Sequence, residues 1–165
     1  MGINVTKWRT KVAPIMSTSG KTSYTGLFRH SLDDKNRVTI PSSWRAAHAN
    51  GDVFLATPHQ KGYIAVLPPA EVDKLREKIS QAPLSDTAAQ DFAARFFAKT
   101  QGVWFDSQGR MMFNAELLKH AGITGEVVLV GTLTKFNVYS PERWREVDER
   151  TSAESDLDIM RRMGI

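Results

Sequence analysis

Apolar and polar positions alternate along this chain in one pattern that occurs twice, 73 residues apart. In the first copy Phe28, His30 and Leu32 fall on one side, and Leu27, Arg29 and Ser31 on the other. That period of two predicts a strand. Asp33 to Asn36 is turn chemistry, after which Val38 and Ile40 point one way and Arg37 and Thr39 the other. In the second copy Met111 and Phe113 point inward, while Arg110 and Met112 point out. Asn36 and Gly109 occupy the matching site in the two turns. Glycine reaches positive φ without steric cost and asparagine tolerates it, so a tight hairpin with positive φ is expected at both.

The segments after each hairpin repeat as well. A short helical segment (Ser42–Ala49; Ala115–Ala121) precedes two apolar runs (Val53–Ala56 and Ile64–Leu67; Val127–Val130 and Phe136–Tyr139) and a proline-started helix (Pro69–Ser80; Pro141–Arg150). The offset slips to 72 in the later part, as one inserted loop residue would cause. Ser42 or Ser43 is the expected cap of the first short helix, Asn114 that of its counterpart, and Gly122 a helix stop. Between the copies, Ser85-Asp86 opens a helix through about Lys99, with Ala89, Phe92 and Phe96 on one face as expected core. The fold class is therefore mixed β with short helices, α+β. The expected organisation is a basic flexible arm (1–25), a first module (26–80), a linker helix (81–99), a second module (100–150) and a flexible polar tail (151–165).

Charge sharpens this picture. The formal net charge of +4 lies wholly in residues 1–25, which carry Lys7, Arg9, Lys11 and Lys21 and no acid. The remainder is formally neutral, so any polyanion must be held by a local patch and not by the overall field. The arm itself reads as solvated chain, and nothing in the pattern accounts for Trp8. The absence of cysteine excludes disulfides, thiolate metal sites and a cysteine nucleophile, and fits a reducing cytoplasm. No apolar stretch approaches membrane-spanning length.

The candidate chemistry sits at the turns. Arg37 and Arg110 each come four residues after an aspartate, in Asp33-x-x-x-Arg37 and Asp106-x-x-x-Arg110. A guanidinium can grip a phosphate or read guanine O6 and N7, but it can equally pair with its own motif aspartate and fix the turn. Lys35 at the first turn tip and Arg29 on the preceding strand would join Arg37 in a basic cluster; Arg110 stands alone at the second turn. The first module is thus expected to carry most of any DNA contact. His30, His48, His59 and His120 are scattered without metal-ligand spacing, and His30 reads as a core residue. No phosphate loop, nucleophile elbow or catalytic triad pattern is present. The sequence asks for no cofactor, metal or small-molecule substrate.

The motif Leu32-Asp33-Asp34-Lys35-Asn36-Arg37-Val38-Thr39-Ile40-Pro41 resembles the MraZ family of bacterial transcriptional regulators. So do Phe105-Asp106-Ser107-Gln108-Gly109-Arg110, Glu126–Gly131, Lys135-Phe136 and Glu142-Arg143-Trp144. The likeness covers roughly residues 24–150. Asn36 departs from the usual glycine, no proline in the second motif matches Pro41, and the first 25 residues are an extension. The resemblance implies tandem AbrB-type swapped-hairpin modules with a barrel-like fold, and ring-shaped homo-oligomers. It further implies binding to double-stranded DNA at repeated boxes upstream of a division and cell-wall gene cluster, as a repressor in the cytoplasm and on the nucleoid. The competing expectation is a ring-forming scaffold whose motif arginines only hold turns.

Overall fold

A computed structural model describes residues 22–150 and 154–165. The expectations for Trp8 and the rest of residues 1–21, and for 151–153, lie outside the described residues. The first copy runs β1 (Leu27–Ser31), β2 (Arg37–Thr39), α1 (Ser42–Arg45), β3 (Phe54–His59), β4 (Tyr63–Leu67), α2 (Pro69–Ser80) and α3 (Thr87–Ala98). The second repeats that order as β5 (Gln101–Val103), β6 (Arg110–Met112), α4 (Ala115–His120), β7 (Glu126–Gly131), β8 (Phe136–Tyr139), α5 (Pro141–Asp148) and α6 (Asp156–Met163).

The copies do not fold side by side; they exchange strands. One antiparallel sheet has the order β1-β7-β8-β4-β3-β5, and β2 pairs with β6 in a separate two-stranded ribbon. β1 of the first copy lies on β7 of the second, while β5 of the second lies on β3 of the first. In the ribbon Val38 faces Met111, its own counterpart, and in the sheet Ala65 faces Asn137, again its counterpart. A pseudo-twofold axis relates the halves through these two pairs. The six-stranded sheet stays open, with β1 and β5 as its edges. The expected slip in offset is located by register. Three residues (60–62) link His59 to Tyr63, whereas Leu133 and Thr134 alone link Thr132 to Lys135.

The core lies where the inward positions of both copies meet. Val38, Ile40, Met111 and Phe113 from the ribbon are fully buried, as the alternation predicts, together with Trp44, Phe54, Phe136 and Val138. Trp44 stacks on Phe136 at 5.0 Å, meets Phe28 edge-on at 5.2 Å, and donates its indole N–H to the Thr25 carbonyl at 3.1 Å. Tyr24 belongs to this core as well, so the ordered fold reaches into the stretch read as an arm. It bridges Leu133 through both backbone bonds, and its hydroxyl pairs with His48 Nε2, whose Nδ1 meets Asp52 at 3.1 Å. Burial pushes the Tyr24 phenol up to about 12. Gly131 permits this approach, since a Cβ there would lie 2.4 Å from the Tyr24 carbonyl carbon.

Several local expectations change. Ser42 is the first residue of α1 and caps nothing by side chain; Pro41 precedes it, and the helix ends at Arg45 because Asp52 ties down His48 and the Ala49 N–H in a turn instead. Asn114, Asp86 and Ser140 do cap their helices, accepting from the N–H three residues on. The aromatic stripe of α3 is not core. No residue of that helix is buried; Phe92 and Phe96 stack on each other at 5.8 Å and Phe92 remains 47% exposed. His30 is half-buried at an edge strand rather than enclosed. Within the expected tail, α6 forms with Ser155 as its cap and Gly164 at φ 78 beyond its end, and Leu157, Met160 and Met163 are exposed.

Because Trp44 is fully buried and packs against aromatics of both copies, Trp44→Ala is expected to cost about 3–5 kcal/mol. Chemical denaturation with a fluorescence readout checks this; a loss under about 1 kcal/mol contradicts it.

Candidate nucleic-acid interface

The two motif turns are alike bond for bond. Asp33 Oδ1 accepts from the Lys35 and Arg37 N–H groups at 2.9 and 2.8 Å, and Asp106 Oδ1 accepts from Gln108 and Arg110 at 2.9 and 2.9 Å. The second carboxylate oxygen takes the guanidinium: Arg37 Nε donates to Asp33 Oδ2 at 2.6 Å, and Arg110 Nε to Asp106 Oδ2 at 2.8 Å. Asn36 has φ 59 and Gly109 φ 74, as expected for the turns, but the expected hairpins do not form: β1 and β2 lie in different sheets, as do β5 and β6, because each strand pairs with the other copy. Each aspartate thus fixes both its turn and the plane of its arginine.

Swapping carries these turns onto one surface. The register sets Arg37 opposite Met112 and Thr39 opposite Arg110, and direct cross-strand partners share a face. Arg37, Thr39, Arg110 and Met112 therefore point away from the core together. The interlock continues beyond the strands, since Ile40 N–H bonds the Gly109 carbonyl at 3.0 Å and Phe113 N–H the Asn36 carbonyl at 3.1 Å. Arg110 Nη1 also lies 3.9 Å from Asp33 Oδ2, a contact between the two motifs. The arginine side chains remain 26% and 23% exposed. Both line a hollow of about 220 Å³ with Asp106, Trp104 and Met112.

Arg110 does not stand alone, contrary to its isolation in sequence: the ribbon puts it beside Arg37. Lys35 is exposed at the first turn tip. Arg29 is exposed on β1, in the six-stranded sheet and not in the ribbon that carries Arg37. Sequence reasoning missed three contributors. Arg45 donates Nε to the Ile40 carbonyl at 3.0 Å and packs its guanidinium against Gly109. Trp104 and Met112 flank the arginine pair from the second copy. Comparing the two copies position by position would have found the last two, because Ser31 and Thr39 stand at the matching places.

Partial desolvation pushes the carboxyls of Asp33 and Asp106 up, but the backbone N–H groups and the guanidinium of each motif outweigh it and hold both below their ordinary 3.8. Both are ionised at neutral pH. Among the described residues no cluster of histidine and carboxylate residues could hold a metal ion, and no helix is long and apolar enough to cross a membrane.

Fold and site together define a protein of two tandem modules that exchange strands and present paired Asp–Arg turns on a shared ribbon. A family model described as "MraZ protein, putative antitoxin-like" matches this chain twice, over residues 24–95 and 96–163. Proteins named transcriptional regulator MraZ are similar to it. The one from Clostridium acetobutylicum is 35% identical over 76% of this chain and 87% of its own length. The Saccharopolyspora erythraea protein is 33% identical over 74% and 84%, and that of Clostridium tetani 31% over 86% and 99%. The chain belongs to the MraZ family.

The turn geometry sets two measurable outcomes. A Cβ at position 109 would lie 2.5 Å from Arg45 Cζ on a backbone at φ +74. Gly109→Ala should therefore destabilise the fold by at least ~1 kcal/mol, measured by denaturant titration; an unchanged midpoint contradicts it. The carboxylates are more acidic in the folded state, so their contribution is complete above 3.8 and lost as pH falls through the folded value. The melting-temperature gap between wild type and Asp33→Asn should be present at pH 6 and shrink below about pH 3.8; a gap that widens on acidification opposes this reading.

Proposed function

We propose that this chain is a sequence-specific DNA-binding transcription regulator, acting as a repressor on repeated boxes, with Arg37 and Arg110 as its central contacts. The observation that carries the reading is the pair of buttressed guanidiniums on the outward face of one β-ribbon. A two-stranded ribbon fits the major groove of B-form DNA, and a guanidinium there reads guanine O6 and N7 or grips a phosphate. Each Nε is tied to an aspartate, which leaves the Nη edge of Arg37 without a protein partner among the described residues. Fixing that plane in advance lowers the entropy lost on binding. The names of the curated relatives, all regulators of transcription, support the same class and not an enzyme.

The carboxylates also limit the interface. Asp33 and Asp106 offset the two arginines, so directed donors and not net field carry the affinity, with Lys35 and Arg29 adding phosphate contacts. One ribbon of this size binds weakly. Several ribbons on a ring-shaped homo-oligomer, facing repeated boxes, gain on the order of a hundredfold from effective concentration. The exposed apolar side chains of α3 and α6 favour such assembly. The place of action on this reading is the cytoplasmic nucleoid.

The test is a gel-shift titration with the DNA upstream of this protein's own gene, at several salt concentrations, against shuffled DNA. Arg37→Ala and Arg110→Ala should each abolish the preference for the native sequence while assembly by light scattering is unchanged. Lys35→Ala should reduce the log–log salt slope by about one. Wild-type affinity in the Arg37 variant defeats the assignment. A native protein indifferent to DNA, with the arginine variants merely less stable, would leave the scaffold reading in its place.

A further inference from the structure

The pseudo-twofold that relates the two motif turns is broken at the outward positions around them. Across the 73-residue offset, Arg29 becomes Gly102, Ser31 becomes Trp104, Lys35 becomes Gln108 and Thr39 becomes Met112. The buried positions keep their character, with Val38 against Met111 and Ile40 against Phe113, all fully buried. These four changes have a uniform direction: polar or basic in the first copy, apolar or uncharged in the second.

Trp104 is 57% exposed and Met112 is 54% exposed, and neither belongs to the buried core. Large apolar side chains held together in solvent mark a contact surface. Met112 lies directly across the ribbon from Arg37, and Trp104 lines the same 220 Å³ hollow as Arg37, Arg110 and Met112. Whatever enters must offer an apolar group within a few ångströms of hydrogen-bond acceptors suited to two guanidiniums. Gln101 is fixed by its bonds to the Met112 carbonyl and the Asn114 N–H. In the DNA major groove one feature meets that description: the C5-methyl of thymine, set beside the acceptor edges of neighbouring bases and the phosphates.

We propose that Trp104 and Met112 form an apolar reader of thymine methyl groups, so that the second half of the ribbon selects A·T pairs next to the bases or phosphates held by Arg37 and Arg110. This rests on the DNA-binding reading above and deepens it: the two halves of one ribbon read different chemistry, and the recognised element is asymmetric despite the symmetric backbone. Removing one buried methyl from the DNA weakens binding roughly fourfold.

The experiment uses the full-length protein and one duplex, the DNA upstream of its own gene, amplified with either thymidine or deoxyuridine triphosphate. Wild type should bind the deoxyuridine duplex at least about fourfold more weakly. The double variant Trp104→Ser, Met112→Thr, which gives the second copy the residues of the first, should bind both duplexes alike while still depending on Arg37. A circular-dichroism melt confirms that the variant is folded. Wild type binding both duplexes equally, while preferring them to shuffled DNA, overturns the thymine reader and leaves the regulator reading intact. A variant that retains the full deoxyuridine penalty, or one whose only defect is a smaller assembly by light scattering, also overturns it and makes the pair a protein contact. No binding of wild type to either duplex removes the underlying DNA reading itself.

Discussion

The antiparallel pairing of β2 with β6 is the contact on which the rest of the structure depends. It comprises three residues a side, yet it joins one copy of the repeat to the other at equivalent segments. Its inner face, Val38 with Met111, is sealed in the core, and its outer face carries both motif arginines. Without the exchange β2 and β6 would be left unpaired, and each arginine would stand on its own module. With it, the turn of one motif is bonded to the strand end of the other, and a single rigid surface results.

The aspartates serve both the fold and the site. A carboxylate that accepts two backbone N–H groups orders the turn, and the same carboxylate sets the guanidinium plane. The structural role of Asp33 and Asp106 is therefore compatible with the proposed DNA-binding one. The arginine's orientation is set because it is already part of the turn. The cost is electrostatic: the paired charges offset each other, so the ribbon offers geometry more than attraction. On the proposed function, several copies acting together make up for that offset.

Much of this was legible in the sequence. The repeat, its offset, the slip of one residue, the positive φ at Asn36 and Gly109, and the inward and outward sets of β2 and β6 all come from local chemistry. The part that was not legible is long-range. Alternation gives the face a residue occupies but not the strand it pairs with, so Arg110 read as isolated when Arg37 is its neighbour. The α3 stripe has the period of a core helix, yet whether a partner surface exists within one chain is a tertiary fact, and here the helix keeps its aromatics half exposed. Arg45 carried no motif signal, because its role is to fill the space a missing side chain leaves at Gly109. Trp104 and Met112 were visible only as departures from the first copy.

The central claim is that Arg37 and Arg110, a full repeat of 73 residues apart in sequence, act on DNA as one unit across the ribbon. A double-mutant cycle measures this directly, using the affinities of wild type, Arg37→Ala, Arg110→Ala and the double variant for the upstream duplex at fixed salt. The account predicts that the two losses are not additive, with a coupling of at least about 0.5 kcal/mol. Strictly additive losses, or an Arg110 variant indistinguishable from wild type, would contradict it.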